Sequence, residues 1–398
     1  MPLKVLMIAA DFPPQLGGVA TYSLALARTL RQAGIDLSVV TPVPGRGRST
    51  DGVPVARASM LLNFKYLKIL PLTFLTFASC LKRRPDLALL MKCNHEGVVG
   101  ALARKLLGIR YVVAAYGSEI LAFGENPRLG RFMTWLYRGA ERVLVDSAYT
   151  GGLVGDLGVA PEKIVVAHPG LDPVADAPPD AADAEALRGR LGLEGKRVML
   201  TVSRIVRRKG HDKVAEAFAT LKDAYPDLVW VVAGDGQDRP YVEGLVRSLG
   251  LEDRVRMIGR RPAGEIDLLY RVANLFVMPS RREGIDVEGF GIAFVEAALR
   301  RLPVVAGRHG GVPEAVGDGV SGILVDPGDG LDVARGIRAL LDDPALARRL
   351  GDSGRERAVR EFGRERQAGL LAAMFAGIDV RPDRSDPKLR PAAGGVAR

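Results

Sequence analysis

Short apolar runs alternate along this chain with segments in which apolar residues recur at helical spacing. The first run, LKVLMIAA at 3–10, is followed by the turn DFPPQLGG and then by the periodic apolar positions Val19, Tyr22, Leu26, Leu30 and Ala33. This pattern is typical of a strand followed by an amphipathic helix, and its repetition predicts a parallel sheet covered by helices. Further strands are predicted in the first half of the chain at 35–42, 86–91, 109–117, 141–147 and 163–170.

A stretch rich in Pro, Asp and Ala, LDPVADAPPDAADA at 171–184, interrupts the alternation and indicates a linker. The alternation then resumes. Strands are predicted at 197–203, 228–236, 254–259, 275–280, 303–307 and 322–326, and helices at 211–225, 331–343 and 345–362.

These patterns predict an α/β protein with two doubly wound, Rossmann-like domains. We expect the N-terminal domain at 1–170, a linker at 171–190 and the C-terminal domain at 191–360. A helix at 361–378 is expected to pack back toward the N-terminal domain, and 379–398 to be a disordered tail. Two such domains facing each other would leave a cleft at the carboxyl ends of their strands, where ligands bind in this kind of fold.

Composition places the chain among ordinary globular proteins. Of 398 residues, 47% are hydrophobic and 26% charged, and a chain of this length suits two domains. Its two cysteines, Cys80 and Cys93, give neither a disulfide framework nor a metal cluster, which favours a reducing cytoplasm. The apolar start of the chain is too short for a signal peptide. The stretch 67–81 is too short to span a bilayer, so a cytoplasmic or peripheral protein is expected.

The net charge of +10 is concentrated in the first half. Residues 1–170 carry 20 Lys and Arg against 11 Asp and Glu, a net charge of +9. Such asymmetry suggests an acidic partner, namely nucleic acid, an anionic membrane or a phosphorylated substrate. The stretch 61–86 mixes Leu, Phe and Ile with cations and fits a helix on an anionic membrane surface. The alternative is an ordinary core helix followed by a basic turn.

Two loops that follow predicted strands carry features suited to anions. Gly17 and Gly18 stand just before a helix, where paired glycines let the backbone approach an anion, although such pairs are also common in plain turns. In SRIVRRKGHD at 203–212, Arg204 and Lys209 could hold two phosphates. The arginines between them, 207 and 208, could be simply solvated.

A third loop, DVEGFGIAFVEA at 286–297, places Glu288 and Glu296 on either side of a Gly-Phe-Gly turn. Two glutamates at this spacing are often only a solvated helix face. The glycines would instead let backbone amides touch a ligand, while carboxylates accept hydrogen bonds from sugar hydroxyls and cations take a diphosphate. The three loops together therefore suggest a sugar nucleotide.

Other classes of site find little support. VVAGDGQDR at 231–239 has Arg239 where a dinucleotide fingerprint needs a third glycine, and we interpret it as a tight turn. The four histidines are scattered, so no metal site is predicted. No hydrolase elbow or P-loop occurs. The basic half has no recognisable nucleic-acid motif, and no nucleic-acid partner is expected.

The chain resembles family 4 of the retaining GT-B glycosyltransferases over nearly its whole length. The resemblance rests on seven motifs in order: DFPPQLGGVATY, HPGLDP, SRIVRRKG, VAGDG, MPS, EGFGIAFVEA and PVVAGRHGGVPEAV. Within that family, the forms DFPPQLGG, HPGLD and DVEGFGI look most like the bacterial phosphatidylinositol mannosyltransferase branch and its relatives.

This resemblance implies a role for each matching position. As catalytic residues, Arg204 and Lys209 would hold the donor diphosphate and Glu288 would bind hydroxyls of the donor sugar. The remaining donor contacts would come from Gly17, Gly18, Arg261, Gly289, Phe290, Gly291, Ile292 and Glu296. Among these, Glu296 would bind the ribose and the loop of Arg261 the base.

The acceptor or sugar side would be formed by Asp11 and Tyr116. Tyr116 stands where many relatives have the His of an HG-x-E/D motif, because this chain has AYGSE. A phenol is larger and stays neutral at pH 7, which leaves the identity of the donor sugar open.

The expected protein is a retaining, metal-independent hexosyltransferase that needs no cofactor. The resemblance favours GDP-mannose as donor and a lipid-linked or cell-envelope glycan as acceptor, with the basic N-terminal domain on the inner face of the cell membrane. The alternatives are transfer from a UDP-sugar to a soluble acceptor, a sugar-nucleotide 2-epimerase and a non-catalytic nucleotide-sugar sensor.

Overall fold

The computed structural model describes residues 2–15, 18–45, 49–57, 69–123, 126–172, 174–175 and 179–378. They form two compact units, one of Met1–Gly170 with Glu365–Arg398 and the other of Leu171–Arg364. We call them unit 1 and unit 2. The tail expected at 379–398 lies outside the described residues.

Unit 1 is built on an eight-stranded sheet. Its strands are β1 Lys4–Ile8, β2 Asp36–Thr41, β3 Ser49–Thr50, β4 Val53–Arg57, β5 Leu87–Leu90, β6 Arg110–Ala115, β7 Arg142–Val145 and β8 Ile164–Val166. The order is β3-β4-β2-β1-β5-β6-β7-β8. All neighbours are parallel except β3 and β4. The helices are α1 Gly18–Gln32, α2 Ile69–Arg83, α3 His95–Leu107, α4 Ser118–Ala122, α5 Pro127–Gly139 and α6 Ala148–Asp156, and a 3-10 turn spans Pro161–Lys163.

Both faces of this sheet are buried, and after their first residues the central strands β1 and β6 are apolar at every position. In β1, Val5 and Met7 belong to one core cluster, while Leu6 and Ile8 belong to the cluster on the other face. Successive side chains of a strand point to opposite faces, so a continuous apolar run needs helices on both sides.

Unit 2 repeats this design with six parallel strands in the order β11-β10-β9-β12-β13-β14. The strands are β9 Arg197–Val202, β10 Leu228–Ala233, β11 Val255–Gly259, β12 Leu275–Met278, β13 Val304–Gly307 and β14 Gly322–Val325. Its helices are α7 Ala181–Leu191, α8 His211–Leu221, α9 Arg239–Ser248, α10 Ala263–Val272, α11 Ile292–Ala298, α12 Val312–Ala315, α13 Gly330–Asp342 and α14 Pro344–Phe362, with 3-10 turns at Arg207–Lys209 and Glu252–Arg254.

The last helix, α15 Arg364–Ala376, contributes to the core of unit 1. Leu371 and Phe375 are buried among residues of β1 and α1. Gln367 is buried too, and its amide donates to the hydroxyl of Tyr22 at 3.2 Å and to the carbonyl of His168 at 2.9 Å. Because these polar bonds are satisfied inside the core, the helix is fixed in position as well as buried.

The segment expected as a linker at 171–190 is partly helical. Helix α7 spans Ala181–Leu191, and the Asp180 carboxylate accepts hydrogen bonds from the first-turn amides of Ala182 and Asp183 at 2.9 and 3.2 Å. Leu187 is buried in the core of unit 2. An aspartate N-cap followed by alanine, glutamate, leucine and arginine is a sound helix start, so the linker prediction was wrong from residue 181 onward.

No helix among the described residues is both long and apolar enough to cross a bilayer.

Candidate functional site

Loops from neighbouring strands meet at the carboxyl edge of the sheet in unit 2. The loop 203–210 follows β9, the loop 279–291 follows β12, and the loop 308–311 follows β13. These strands are adjacent in the sheet order, and parallel neighbours end at the same edge. Residues far apart in sequence are therefore brought together here.

The GDG sequence supports the loop 203–210 from below. Gly234 has φ +142, and a Cβ on it would collide with the carbonyl oxygen of Ser203, while a Cβ on Gly236 would collide with that of Ile205. The amide of Ile205 donates to the carbonyl of Asp235 at 3.1 Å. The tight turn predicted for this motif is confirmed: its glycines let two backbones pack against each other.

Where these loops meet, one carboxylate oxygen of Glu288 accepts hydrogen bonds from two cationic side chains. Glu288 Oε2 accepts a hydrogen bond from Arg208 Nη1 at 2.6 Å and another from Lys209 Nζ, and Ser280 Oγ lies 3.4 Å away. Lys209 is buried, and the side chains of Arg208 and Glu288 are only 13% and 12% exposed. Arg208 was expected as a possible solvated charge, and this expectation was wrong.

The other oxygen of Glu288 is open. Glu288 Oε1 accepts no hydrogen bond from any residue that the structure describes, yet it is not sealed from solvent. The cations hold the carboxylate by one oxygen and leave the second as an acceptor for a ligand hydroxyl.

The electrostatics of this group keep Glu288 and Lys209 charged near pH 7. Burial alone would raise the pKa of Glu288, but Lys209 and Arg208 outweigh burial and lower that pKa to about 2. Burial lowers the pKa of Lys209 to about 8, although Glu288 acts in the opposite direction. Two cations against one carboxylate leave a surplus positive charge, which suits an anionic ligand.

A second ion pair fixes the loop 279–291 against the start of α8. Asp212 and Arg281 form a bidentate ion pair with both contacts at 2.9 Å, and the backbone amide of Arg281 donates to the carbonyl of Arg208 at 2.8 Å. Gly210 has φ +74, and a Cβ there would collide with the carbonyl oxygen of Pro279. Nothing in the sequence pattern signals that residues 212 and 281 are partners.

The Gly-Phe-Gly turn after Glu288 is fixed by packing. Phe290 is buried and meets the ring of Phe362 edge-on at 5.2 Å, and Gly291 has φ +95. Within the described part of the chain, no group accepts a hydrogen bond from the amides of Gly289, Gly291 or Ile292. These amides can therefore donate to a ligand.

The other residues of unit 2 that were predicted to bind the sugar nucleotide are Glu296, Arg261 and Arg204. Among the described residues, their side chains make no hydrogen bond to Arg208, Lys209 or Glu288. Glu296 is partly buried and accepts from the hydroxyl of Tyr270 at 3.0 Å, and burial raises its pKa. Arg261 is exposed and pairs with Glu265 at 3.4 Å. Arg204 is exposed and makes no side-chain hydrogen bond to a described residue, although its charge contributes to lowering the pKa of Lys209.

In unit 1, the carboxyl edge of the sheet carries a second polar group. Asp11 follows β1 and pairs with Lys92 at 2.6 Å, and the side-chain amide of Gln15 donates from Nε2 to Asp11 at 2.9 Å. Glu96, buried at the start of α3, accepts from the amide of Ala10 at 2.9 Å, while its other oxygen is buried without a described partner. Burial raises the pKa of Glu96 to about 7. The sequence pattern gave no reason to single out Lys92 or Glu96.

Tyr116 lies at the end of β6 on the same edge. Its ring meets that of Tyr22 edge-on at 5.9 Å, its amide donates to Glu119 at 2.7 Å, and its hydroxyl is buried without a described partner. Burial raises the pKa of Tyr116 well above its usual value. Gly18 is the first residue of α1, and Gly17 lies outside the described residues.

Two family models and a full-length relative show the family of the chain. The family described as glycosyl transferases group 1 matches residues 183–357, and the glycosyl transferase 4-like domain matches residues 17–170. The chain is 30% identical over 383 residues to the GDP-mannose-dependent alpha-(1-6)-phosphatidylinositol monomannoside mannosyltransferase of Mycolicibacterium smegmatis, covering 94% of this chain and 98% of that protein.

One further relative and one solved structure have names that specify other substrates. The 2-deoxystreptamine glucosyltransferase of Streptomyces kanamyceticus is 32% identical over 290 residues, which is 70% of this chain and 73% of that protein. Among solved structures, Anabaena HepE in complex with UDP and glucose superposes with a TM-score of 0.78 at 24% identity, covering 94% of this chain and all of HepE.

Two doubly wound units with this structural neighbour define the GT-B fold. The chain belongs to the glycosyl transferases group 1 family, with a glycosyl transferase 4-like N-terminal domain. The resemblance seen in the sequence and the fold class predicted from it are both confirmed.

Proposed function

We propose that this protein transfers a hexose from a nucleotide-diphosphate sugar, with the donor bound at the Arg208–Lys209–Glu288 group of unit 2. The observation that carries the proposal is a buried carboxylate that is held by two cations through one oxygen and is open at the other. The surplus cation suits a diphosphate, and the open oxygen suits a sugar hydroxyl.

In this proposal the fixed cations stabilise the departing diphosphate. Lys209 and Arg204 would meet the negative charge that develops as the glycosidic bond breaks, and the free amides of Gly289 and Ile292 would add hydrogen bonds. We infer from the family resemblance that the configuration at the anomeric carbon is retained. Because fixed cations take this role, transfer should proceed in the presence of EDTA. Loss of activity with EDTA and its return with Mg²⁺ or Mn²⁺ would count against this part.

GDP-mannose is the favoured donor. The support is the relative from Mycolicibacterium smegmatis, which matches over nearly the whole length of both chains and whose name specifies GDP-mannose. A UDP-sugar and a soluble acceptor form the second candidate, supported by the 2-deoxystreptamine glucosyltransferase relative and by the UDP complex of HepE. Tyr116, with its buried hydroxyl, is proposed to face the sugar or the acceptor in either case.

The favoured acceptor is a lipid-linked or cell-envelope glycan at an anionic membrane. Helix α2 exposes the large apolar side chains of Leu70, Phe74 and Leu81, which are 63%, 73% and 71% exposed. Exposed cations follow directly at its C-terminal end, namely Lys82, Arg83 and Arg84. Apolar side chains beside cations suit the surface of an anionic bilayer, where each cation contributes about 1 kcal/mol. The part of the proposed surface at 61–68 lies outside the described residues.

A thermal-shift screen with GDP-mannose, UDP-glucose and the free nucleoside diphosphates tests the donor. A ligand that binds only the folded protein raises Tm by mass action, so GDP-mannose should raise the Tm of the wild type but not that of Lys209→Met. Product formation is then measured with the donor that binds. If no nucleotide sugar shifts Tm and none is consumed, the proposed function is wrong.

Flotation with phosphatidylglycerol vesicles at low and high salt tests the membrane. The wild type should float at low salt, and charge reversal at Lys82, Arg83 and Arg84 should abolish flotation, since screening weakens such contacts. Reversal of two exposed arginines of α14, Arg348 and Arg349, is the matched control and should have no effect. A wild type that stays in solution would favour the soluble acceptor.

A further inference from the structure

Two adjacent arginines of the loop 203–210 have opposite surroundings. Arg207 is exposed, and its guanidinium lies 3.5 Å from the centre of the Tyr241 ring. Arg208 is largely buried and donates to Glu288 at 2.6 Å. Only the second arginine therefore takes part in the site.

Arg208 and Lys209 compete for the same oxygen of Glu288. One cation is enough to balance the carboxylate, so the second is available to an anion. Lys209 is the better candidate to leave, because its ammonium is a point charge on a flexible stem, whereas a guanidinium holds its hydrogen bonds in a fixed plane. The backbone of Arg208 is also anchored, since its carbonyl accepts from the amide of Arg281 at 2.8 Å.

We propose that Arg208 is a positioning residue of the donor site, which holds Glu288 charged and in place so that Lys209 can turn to the donor diphosphate. The inference rests on the proposed function, because it takes the diphosphate to bind at Lys209. Without Arg208, Lys209 would be the only cation left on Glu288, and a diphosphate would have to compete with the carboxylate for it.

The pH dependence of binding separates this role from general loss of structure. The charged groups that act on Lys209 are Glu288, Arg208 and Arg204, and Lys209 in turn contributes to lowering the pKa of His211. The pKa of Lys209 is lowered to about 8 chiefly by burial; Arg208 contributes to this lowering, while Glu288 opposes it. Removing Arg208 should therefore raise the pKa of Lys209. Binding of a diphosphate would become weaker but would persist to higher pH.

The experiment is calorimetric titration with GDP and with UDP between pH 6 and pH 10. Arg208→Met should weaken binding about tenfold at pH 6, the loss typical of one charge-assisted contact, and should move the pH at which binding is lost upward. Arg207→Met is the matched control and should bind like the wild type. In a Glu288→Gln background at pH 6, Arg208→Met should add little, because its partner is already gone.

The outcomes distinguish failure of the proposed function from failure of the role proposed for Arg208. If the wild type binds neither GDP nor UDP, the proposed function fails. If the wild type binds and Lys209→Met does not, but Arg208→Met matches Arg207→Met in affinity and pH profile, the role of Arg208 is overturned. An additive loss in the Glu288→Gln background would also overturn it, since Arg208 would then contact the ligand directly. If Arg208→Met does not fold, Arg208→Lys replaces it. Arg208→Lys should bind the diphosphate with an affinity between those of the wild type and Lys209→Met, and it should keep the wild-type pH profile. An affinity as low as that of Lys209→Met would contradict the role.

Discussion

Removing Glu288 and removing Lys209 should have unequal effects on stability, although the two side chains are partners. Glu288 has an ordinary pKa of 4.5 that its cations lower to about 2, which corresponds to about 3 kcal/mol of stabilisation. Lys209 has an ordinary pKa of 10.5 that burial lowers to about 8, which corresponds to about 3 kcal/mol of destabilisation at pH 7. The attraction between Glu288 and Lys209 is contained in both figures, so they cannot be added, and the pair as a whole adds no stability to the fold.

Glu288→Gln should therefore lower the free energy of unfolding by about 3 kcal/mol at pH 7, because it leaves two buried cations without their carboxylate. Lys209→Met should leave it within about 1 kcal/mol of the wild type or raise it, because Arg208 still balances Glu288 and the desolvation of an ammonium is removed.

The pH dependence carries a matching sign. Between pH 8 and pH 10.5 the unfolded state binds more protons at Lys209 than the folded state does, so the stability of the wild type should rise with pH in this range. Lys209→Met should lack this contribution. The Glu288 contribution is complete above pH 4.5 and is lost as the pH falls toward 2.

Urea unfolding followed by Trp230 fluorescence measures these quantities in unit 2. Trp230 is buried in that unit, and the second tryptophan, Trp135, lies in unit 1 and is replaced by Phe in all variants. Equal losses for Glu288→Gln and Lys209→Met would refute the reasoning, because they would mean that the pair is held by mutual attraction alone.

Three further outcomes follow from other positions. Burial raises the pKa of Glu96 from 4.5 to about 7, so the wild type should lose about 3 kcal/mol as the pH rises through this range. Glu96→Gln should remove this loss of stability. If the urea midpoints at pH 5 and pH 8 differ as much in Glu96→Gln as in the wild type, the prediction is wrong. Asp212→Asn should remove the two-contact carboxylate partner of the largely buried Arg281 and leave it only Glu283 at 3.2 Å, which should cost about 2 kcal/mol, measured by urea unfolding; an unchanged midpoint would show that the pair does not hold the loops. Gly210→Ala should lower Tm more than the control Gly195→Ala, because both have positive φ but only Gly210 faces a carbonyl oxygen; equal shifts would argue against that close contact.

Most of the strands could be predicted because parallel strands covered on both faces leave continuous apolar runs in the sequence. The run 228–236, for example, contains β10, Leu228–Ala233, which is buried at every position. Strands β3 and β4 were missed because Ser49–Thr50 is short and polar and Val53–Arg57 is only partly apolar. Such strands are specified by their neighbours and not by their own pattern.

The site was predicted in part for a related reason. Lys209 and Glu288 were singled out from two loops that follow predicted strands, with roles implied by the family resemblance, and the structure brings them into contact. Arg207 and Arg208 are adjacent arginines, and they differ in their distant partners, which are the ring of Tyr241 for Arg207 and the carboxylate of Glu288 for Arg208. Contacts of this kind depend on which strands are neighbours in the sheet, and one sequence carries no local signal for them.

A crystal structure of the protein with the nucleotide sugar that it binds would show whether the donor lies at the Arg208–Lys209–Glu288 group. We predict that the diphosphate lies within hydrogen-bond distance of Lys209 and Arg204, that a sugar hydroxyl donates to Glu288 Oε1, and that Arg208 remains on Glu288 Oε2. A donor bound elsewhere, with Lys209 and Arg208 both still on Glu288, would contradict the account.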